Sequence, residues 1–473
     1  WEKEIALNSE YDILVAGGGG AGIAAASKAQ ESGKKVIIIE KNGQLGGDTV
    51  LNAGTLIATG SKFQKEKLNE LKDSPELAAK DIMRVGKNAN DPALVKMLTT
   101  SIGAVVDWLV DDMKVPYDVA ATQYPDHSAS RQIGVVGRSP KLFEVLSANF
   151  EKMGGKVLLS TKAVSLITDS NNNVVGVMAK DSQGDIKINA KKVILATGGF
   201  GAAFDMLPKT LDGYMFYGRS TETGDGLKMA EAAGADTTNM DMVKVYPQGV
   251  ETTPHCALAA TASSTAACSG HGAIYVNSKG ARVIKETATL GELTDITVAQ
   301  PDKILYIVMD ADAWKTYVAK SLEDKLVPAE EDLNKWASIV NNGKPVMVTG
   351  TDLNELCSKI GIDADGLKAT VAEYNAGCAS GKDAFGKAGA VPLAEGVYHI
   401  VEQKPRFATT LGGLKADTQM RILTKAGTPI ANLYGAGCVV GGGNGRDSMT
   451  AMMNSWAIGT GVIAGENAAA AIK

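Results

Sequence analysis

The sequence predicts an α/β chain: a parallel-sheet domain built from both chain ends, with an α+β segment inserted between them. Three observations predict it. Apolar runs of strand length end in glycine at 11–17, 192–199 and 433–437, far apart along the chain. The first run leads into a glycine-rich turn and then strong helix formers. Between 241 and 396 that pattern gives way to mixed polar segments.

The elements follow in order. Residues 1–10 are polar and read as a linker. Residues 11–16 form a buried-type strand, 17–22 a turn, the segment from Ile23 a helix, and 35–40 a second strand. Together they make a β–turn–α–β unit of about 30 residues. Strands are expected over 156–161 and 174–179, with the asparagines 171–173 as the turn between them. Helical patterns cover 329–341 and 352–360, and the Ser/Thr run 261–265 reads as a loop. The Ala/Gly-rich segment 457–471 reads as a helix buried against the domain. The expected plan is therefore a Rossmann-like domain over 11–240 and 397–473, with a capping, substrate-binding domain over 241–396.

Composition excludes several roles. The net charge of −5 leaves no basic excess to neutralise phosphates, which argues against nucleic acid as a partner. No unbroken apolar run reaches the roughly 18–20 residues that span a bilayer. The five cysteines, Cys256, Cys268, Cys357, Cys378 and Cys438, are odd in number and never spaced CxxC, so neither a metal site nor a disulfide framework is expected. The chain opens on Trp1 rather than Met and reads as a processed or excised form.

Gly17, Gly19 and Gly22 form GxGxxG between strand and helix, with Ala21 inside the turn. Gly17 permits the tight turn, Gly19 lets the backbone approach a pyrophosphate, and Gly22 lets helix and strand pack closely. The helix N-terminus offers N–H groups to the anion. Glu40 ends the second strand, placed to accept hydrogen bonds from ribose hydroxyls and to repel a 2′-phosphate.

Five further motifs occur in order: GGDTVLNAG at 46–54, ATGG at 196–199, TGDG at 223–226, GTPI at 427–430 and LYGAG at 433–437. They resemble the FAD-contacting segments of the fumarate reductase/succinate dehydrogenase flavoprotein family. The resemblance spans nearly the whole chain and is nearest to the flavocytochrome c, urocanate reductase and 3-ketosteroid dehydrogenase branch. It implies FAD held by Lys41, Gly46, Gly47, Asp48, Thr49, Ala53 and Gly54, with Glu40 at the adenosine ribose. It further implies Ala163 and Val164 beside the adenine, and Thr197, Gly198, Asp225 and Gly437 along the rest of the cofactor. A terminal helix starting near Ser455 would aim its positive end at the flavin ring. No histidine stands near 46–49, so the FAD is expected to be non-covalent.

In that family a hydride from flavin N5 adds to one alkene carbon, an arginine protonates the other, and a histidine and a second arginine hold carboxylates. Four motif positions depart here. The Thr-Glu pair falls on Thr265 and Ala266, the proton-donating arginine on Leu290, the histidine on Thr409, and the substrate arginine on Ser448. The receptor for two carboxylates is thus missing. The resemblance then implies reduction of an activated C=C bond, such as an enone or aryl acrylate, rather than fumarate. Desaturation in reverse and a pure electron-carrier role are the alternatives. Tyr246, where the family often has a histidine before proline, is the candidate proton donor. Arg446 and His255 are the other catalytic candidates, followed by His271 and Tyr124 as cleft residues. No metal is expected. Electrons would come from a haem or FMN domain or protein, since the chain holds no CxxCH. An exported, periplasmic or cell-surface location is expected, with the cytoplasm as the alternative.

Overall fold

A computed structural model describes residues 10–119 and 125–473. The chain divides into two units: Lys209–Tyr217 with Val245–Ala408, and everything else. The sequence reading puts these boundaries at 241 and 396 and misses the short segment at 209–217. The linker at 1–10 lies almost wholly outside the described residues.

The first unit is organised on an eight-stranded sheet. Tyr11–Ala16 lies between Val36–Ile39 and Gly184–Leu195, parallel to both. Lys156–Leu158 extends one side in parallel, and Pro429–Gly435 pairs parallel on the other side of Gly184–Leu195. These central strands are apolar on both faces because helices cover both faces of a parallel sheet. The 171–173 turn leads into Val174–Asp181 as expected, but its antiparallel partner is Lys162–Thr168, a strand the sequence reading did not name, while the expected 156–161 strand is only Lys156–Leu158.

Two helices meet closely on this sheet. A Cβ on Gly461 or Gly465 of the terminal helix Met452–Ala470 would sit 2.4 Å or 2.3 Å from the carbonyl oxygens of Ala21 and Ala25. Glycine there is what lets the terminal helix lie against Gly20–Glu31, and nearly all of its side chains are buried. The same helix rests on Pro92–Asp107, whose Leu98 meets Gly459. With its continuation, Pro92–Asp112 is 21 residues long with mean hydropathy 1.5, apolar enough to cross a membrane. Its apolar residues are interrupted by Lys96, Thr99, Thr100 and Ser101, so it forms no unbroken apolar run in the sequence. Its window is 56% buried within the protein, and Leu98, Ile102 and Val106 belong to the core.

The second unit has a seven-stranded sheet in which the long strand Tyr398–Thr410 is central. Leu305–Met309 pairs with it antiparallel, and Met215–Phe216 runs parallel against Arg406 and Phe407. Two sequence expectations are corrected here. The run 261–265 is no loop but the first part of a helix, Thr261–Cys268, with Ser263 and Ser264 fully buried. Their hydroxyls bond Ser321 and Gln403, which is how hydroxyl residues satisfy a buried helix face. The pattern at 329–341 yields only a short helix, Glu330–Asn334, and a 3-10 turn before Val340 turns into a strand. Leu353–Ile360 is helical, as expected.

Candidate active site

The cofactor side of the site is backbone first. Gly17 has φ +107°, and a Cβ there would sit 2.2 Å from the Ala196 carbonyl oxygen. Gly22 is closed off in the same way, 1.9 Å from the Gly17 carbonyl oxygen; it packs helix onto turn and stays off the cavity wall. Gly19 is the N-cap of Gly20–Glu31, with no side chain capping the helix. Its first N–H groups are therefore left for an acceptor from outside the helix. Gly17, Gly19 and Ala21 all line one cavity.

Glu40 is 5% exposed and lines the same cavity. One carboxylate oxygen accepts the Gly18 N–H at 2.7 Å; the other accepts both nitrogens of Asn42 at 2.8 Å. These bonds fix the carboxylate and leave lone pairs for ribose hydroxyls. Lys41, Gly47, Asp48 and Thr49 form another part of the wall, with Ala163, Thr197, Gly198, Asp225 and Gly437. The Thr197 hydroxyl is buried with no hydrogen-bond partner among the described residues, as a group awaiting a ligand would be. Five expected contacts lie off the wall. Gly46 bridges to Gly19, Ala53 is exposed, and Gly54 packs on Val135. Val164 is 50% exposed, because strand alternation turns it away from Ala163. The terminal helix starts at Met452, so Ser455 lies one turn in, where its hydroxyl accepts the Ile57 N–H at 2.9 Å.

Carboxyls in this cavity titrate in opposite directions. Burial alone would raise Asp225, but hydrogen bonds from Lys41 and Lys162, each at 2.9 Å, outweigh it and hold its pKa below the ordinary value. Glu222, which the sequence reading missed, accepts the Gly199 N–H. Burial, then the neighbouring Asp48 carboxyl, pushes it up to about 8. Asp48 is raised by burial as well. The pair therefore holds a proton at neutral pH, leaving the cavity less negative towards a diphosphate.

The profile of the FAD binding domain family matches residues 12–449. The chain is 33% identical to a fumarate reductase (cytochrome) of Shewanella frigidimarina, over 99% of this chain and 79% of that protein. This chain belongs to the FAD-dependent fumarate reductase family. The flavoprotein is also 30% identical to a urocanate reductase of Eggerthella lenta, over 98% of its own length and 75% of that protein. It superposes on the open conformation of a flavocytochrome c3 fumarate reductase with TM-score 0.77 and 27% identity, covering 99% of this chain and 80% of that one. The 3-ketosteroid Δ1-dehydrogenase of Sterolibacterium denitrificans, at TM-score 0.77 and 18% identity, shares the fold. The flavoprotein is accordingly an FAD-dependent oxidoreductase of carbon–carbon bonds. The Gly turn, Glu40 and the open Thr197 hydroxyl fit FAD.

The four positions at which the family resemblance places charged groups are Ala266, Leu290, Thr409 and Ser448. Ser448 is 3% exposed, and its hydroxyl donates to Asn444 at 2.8 Å. Leu290 opens the helix Leu290–Val298 and is exposed, and Ala266 lies within Thr261–Cys268. Thr409 is half-buried near the end of Tyr398–Thr410.

The catalytic candidates are scattered. Arg446 lies in the first unit with its side chain 55% exposed, 3.7 Å from Asp241. Tyr246 and His255 share the second unit. His255 sits at the exposed tip of the hairpin joining Val243–Thr253 to Cys256–Ala259, its N–H donating to Glu251. His271 pairs with Asp312 at 2.6 Å on the surface, and Tyr124 lies outside the described residues. Tyr246 is half-buried and meets Tyr217 edge-on, with ring centroids 6.4 Å apart. Against both rings lies Arg406, 4.2 Å from Tyr217 and 5.3 Å from Tyr246. Sequence reasoning missed Arg406 because it belongs to no motif; its only local signal is a cation in an otherwise apolar and hydroxylic strand end.

Proposed function

We propose that this flavoprotein reduces an activated C=C bond of a small conjugated substrate, an enone or an aryl acrylate, rather than fumarate. The observation that supports the reading is the neutral set Ala266, Leu290, Thr409 and Ser448, at the positions where the motif resemblance puts the charged groups of fumarate reductases. A dicarboxylate needs opposite charge at both ends, and these residues offer none. Bound FAD supplies the hydride. The chain supplies the rest: the Tyr246 hydroxyl is the proton source, on a ring braced by Tyr217. Electrons come from a haem or FMN domain or protein, in keeping with relatives named as cytochrome fumarate reductase and NADH:fumarate oxidoreductase.

Anaerobic reoxidation of dithionite-reduced holoenzyme tests this directly. Enones or aryl acrylates should reoxidise the flavin in a single fast phase, and Tyr246→Phe should slow that phase by roughly 100-fold or more. Fast reoxidation by fumarate would overturn the reading. Reoxidation by protein electron acceptors but by no alkene would replace it with an electron carrier.

A further inference from the structure

The second unit buries four cations, and three of them are matched by carboxylates. Lys404 meets Glu251 and Glu402; Arg282 meets Glu286 and Asp383; Lys387 lies 3.6 Å from Glu286. Arg406 is 5% exposed, as buried as the others, yet no carboxylate among the described residues pairs with it. Nη2 donates to the Thr261 hydroxyl at 2.7 Å, the Tyr217 phenol shares a further hydrogen bond with the guanidinium, and Nε is buried without an acceptor. Burial lowers its pKa from the ordinary value. Taking an unmatched guanidinium out of water is costly, and a fold keeps one where a ligand brings the counter-charge.

The surroundings say what that ligand is. Thr261 is the first residue of the helix Thr261–Cys268, whose N-cap is Ala260, with no side chain to cap the helix N–H groups. The positive end of this helix and the guanidinium fork thus converge on one residue. Both favour a planar anion with two oxygens. The walls are the half-buried rings of Tyr217 and Tyr246, set at 83° to each other. Tyr217 also borders a cavity with an apolar wall of Ala257, Leu258, Ala259 and Ala262 and a polar rim of Asp324 and Lys325. An aromatic remainder suits the two rings.

We infer that Arg406, together with the N-terminal turn of Thr261–Cys268, receives the single carboxylate of an aryl acrylate, with the ring of the substrate against Tyr217 and Tyr246. This rests on the proposed alkene reduction and chooses between its two substrate classes.

The test compares 3-phenylacrylate with its neutral analogue 4-phenylbut-3-en-2-one, using reduced holoenzyme under anaerobic conditions. Wild type should prefer the acrylate in kcat/KM, and Arg406→Gln should cut that preference about 100-fold, through KM rather than kcat. Equal use of both compounds by wild type, or an unchanged preference in Arg406→Gln, would overturn the inference. A merely structural arginine predicts a lower melting temperature for Arg406→Gln; an unmatched one predicts an equal or higher value. Should that variant lose its FAD, Arg406→Lys keeps the charge without the fork and should weaken the preference about 10-fold. Binding is also read without turnover. Saturated 3-phenylpropionate should raise the melting temperature of wild type, and 3-phenylpropanamide should not. If no alkene reoxidises the enzyme but 3-phenylpropionate still stabilises it through Arg406, the reduction reading fails while the carboxylate site stands.

Discussion

In the first unit, recognition is made by backbone: Gly17, Gly19 and Gly47 bring main chain to the cavity, and the cations Lys41 and Lys162 are tied to Asp225. In the second unit the proposed substrate site is made of side chains from three separate segments, Tyr217, Tyr246 and Arg406, and the cation has no carboxylate partner among the described residues. The first arrangement suits a cofactor that stays bound, because its cations are already paired and its backbone is already shaped before the ligand arrives. The second suits a ligand that comes and goes, because the missing charge is the ligand's own. The first has a local signature, since steric demands on glycine act between neighbours; the second has none.

The largest expected effect tests the backbone cradle. Gly22→Val puts a branched side chain where 1.9 Å is available at Cβ, so it should abolish FAD retention and cost at least about 3 kcal/mol of stability. Ordinary flavin content and melting in that variant would show that close packing is not what builds the cradle. Next, the matched and unmatched cations should part company. Lys404→Met strands Glu251 and Glu402 in the interior and should cost about 3–5 kcal/mol, whereas Arg406→Met should cost about zero or stabilise. Equal losses in denaturant titrations would end the distinction between them.

Smaller effects concern the cavity carboxyls in apoprotein. Glu222 has its folded pKa raised to about 8, so its stabilising contribution is full below its unfolded value of about 4.3 and disappears as pH rises through 8. Glu222→Gln should therefore flatten the fall in melting temperature between pH 5 and 9. Asp225 works the other way: its contribution is present above about 3.9 and is lost as pH falls through its lowered folded pKa. Asp225→Asn should remove that acid-side loss, on the order of 1 kcal/mol. Identical pH profiles for these two variants would contradict the opposed titration. The smallest effects are expected on the surface, where His255→Ala and Arg446→Ala should each change stability by under about 0.5 kcal/mol. A collapse of turnover in Arg446→Ala would return that arginine to the substrate.

Much of the cradle was legible because its parts are consecutive. Strand, glycine turn, helix and Glu40 lie within about 30 residues, and each residue type has one mechanical use there. Val164 and Ser455 were misplaced because facing depends on strand and helix phase, which a one-residue shift reverses or a different helix start displaces. The loop expected at 261–265 became a helix because Ser321 and Gln403, distant in sequence, satisfy its buried hydroxyls.

The sequence by itself determined the nucleotide fold and the preference for FAD, and it puts uncharged residues at 266, 290, 409 and 448. These are properties of residue type and short spacing. Only the tertiary structure decided that Arg406 is buried without a carboxylate, that two tyrosines flank it, and that Glu222 and Asp48 share a proton. Desolvation and pairing depend on which distant side chains come to lie within a few ångströms, and no single stretch of chain holds that information.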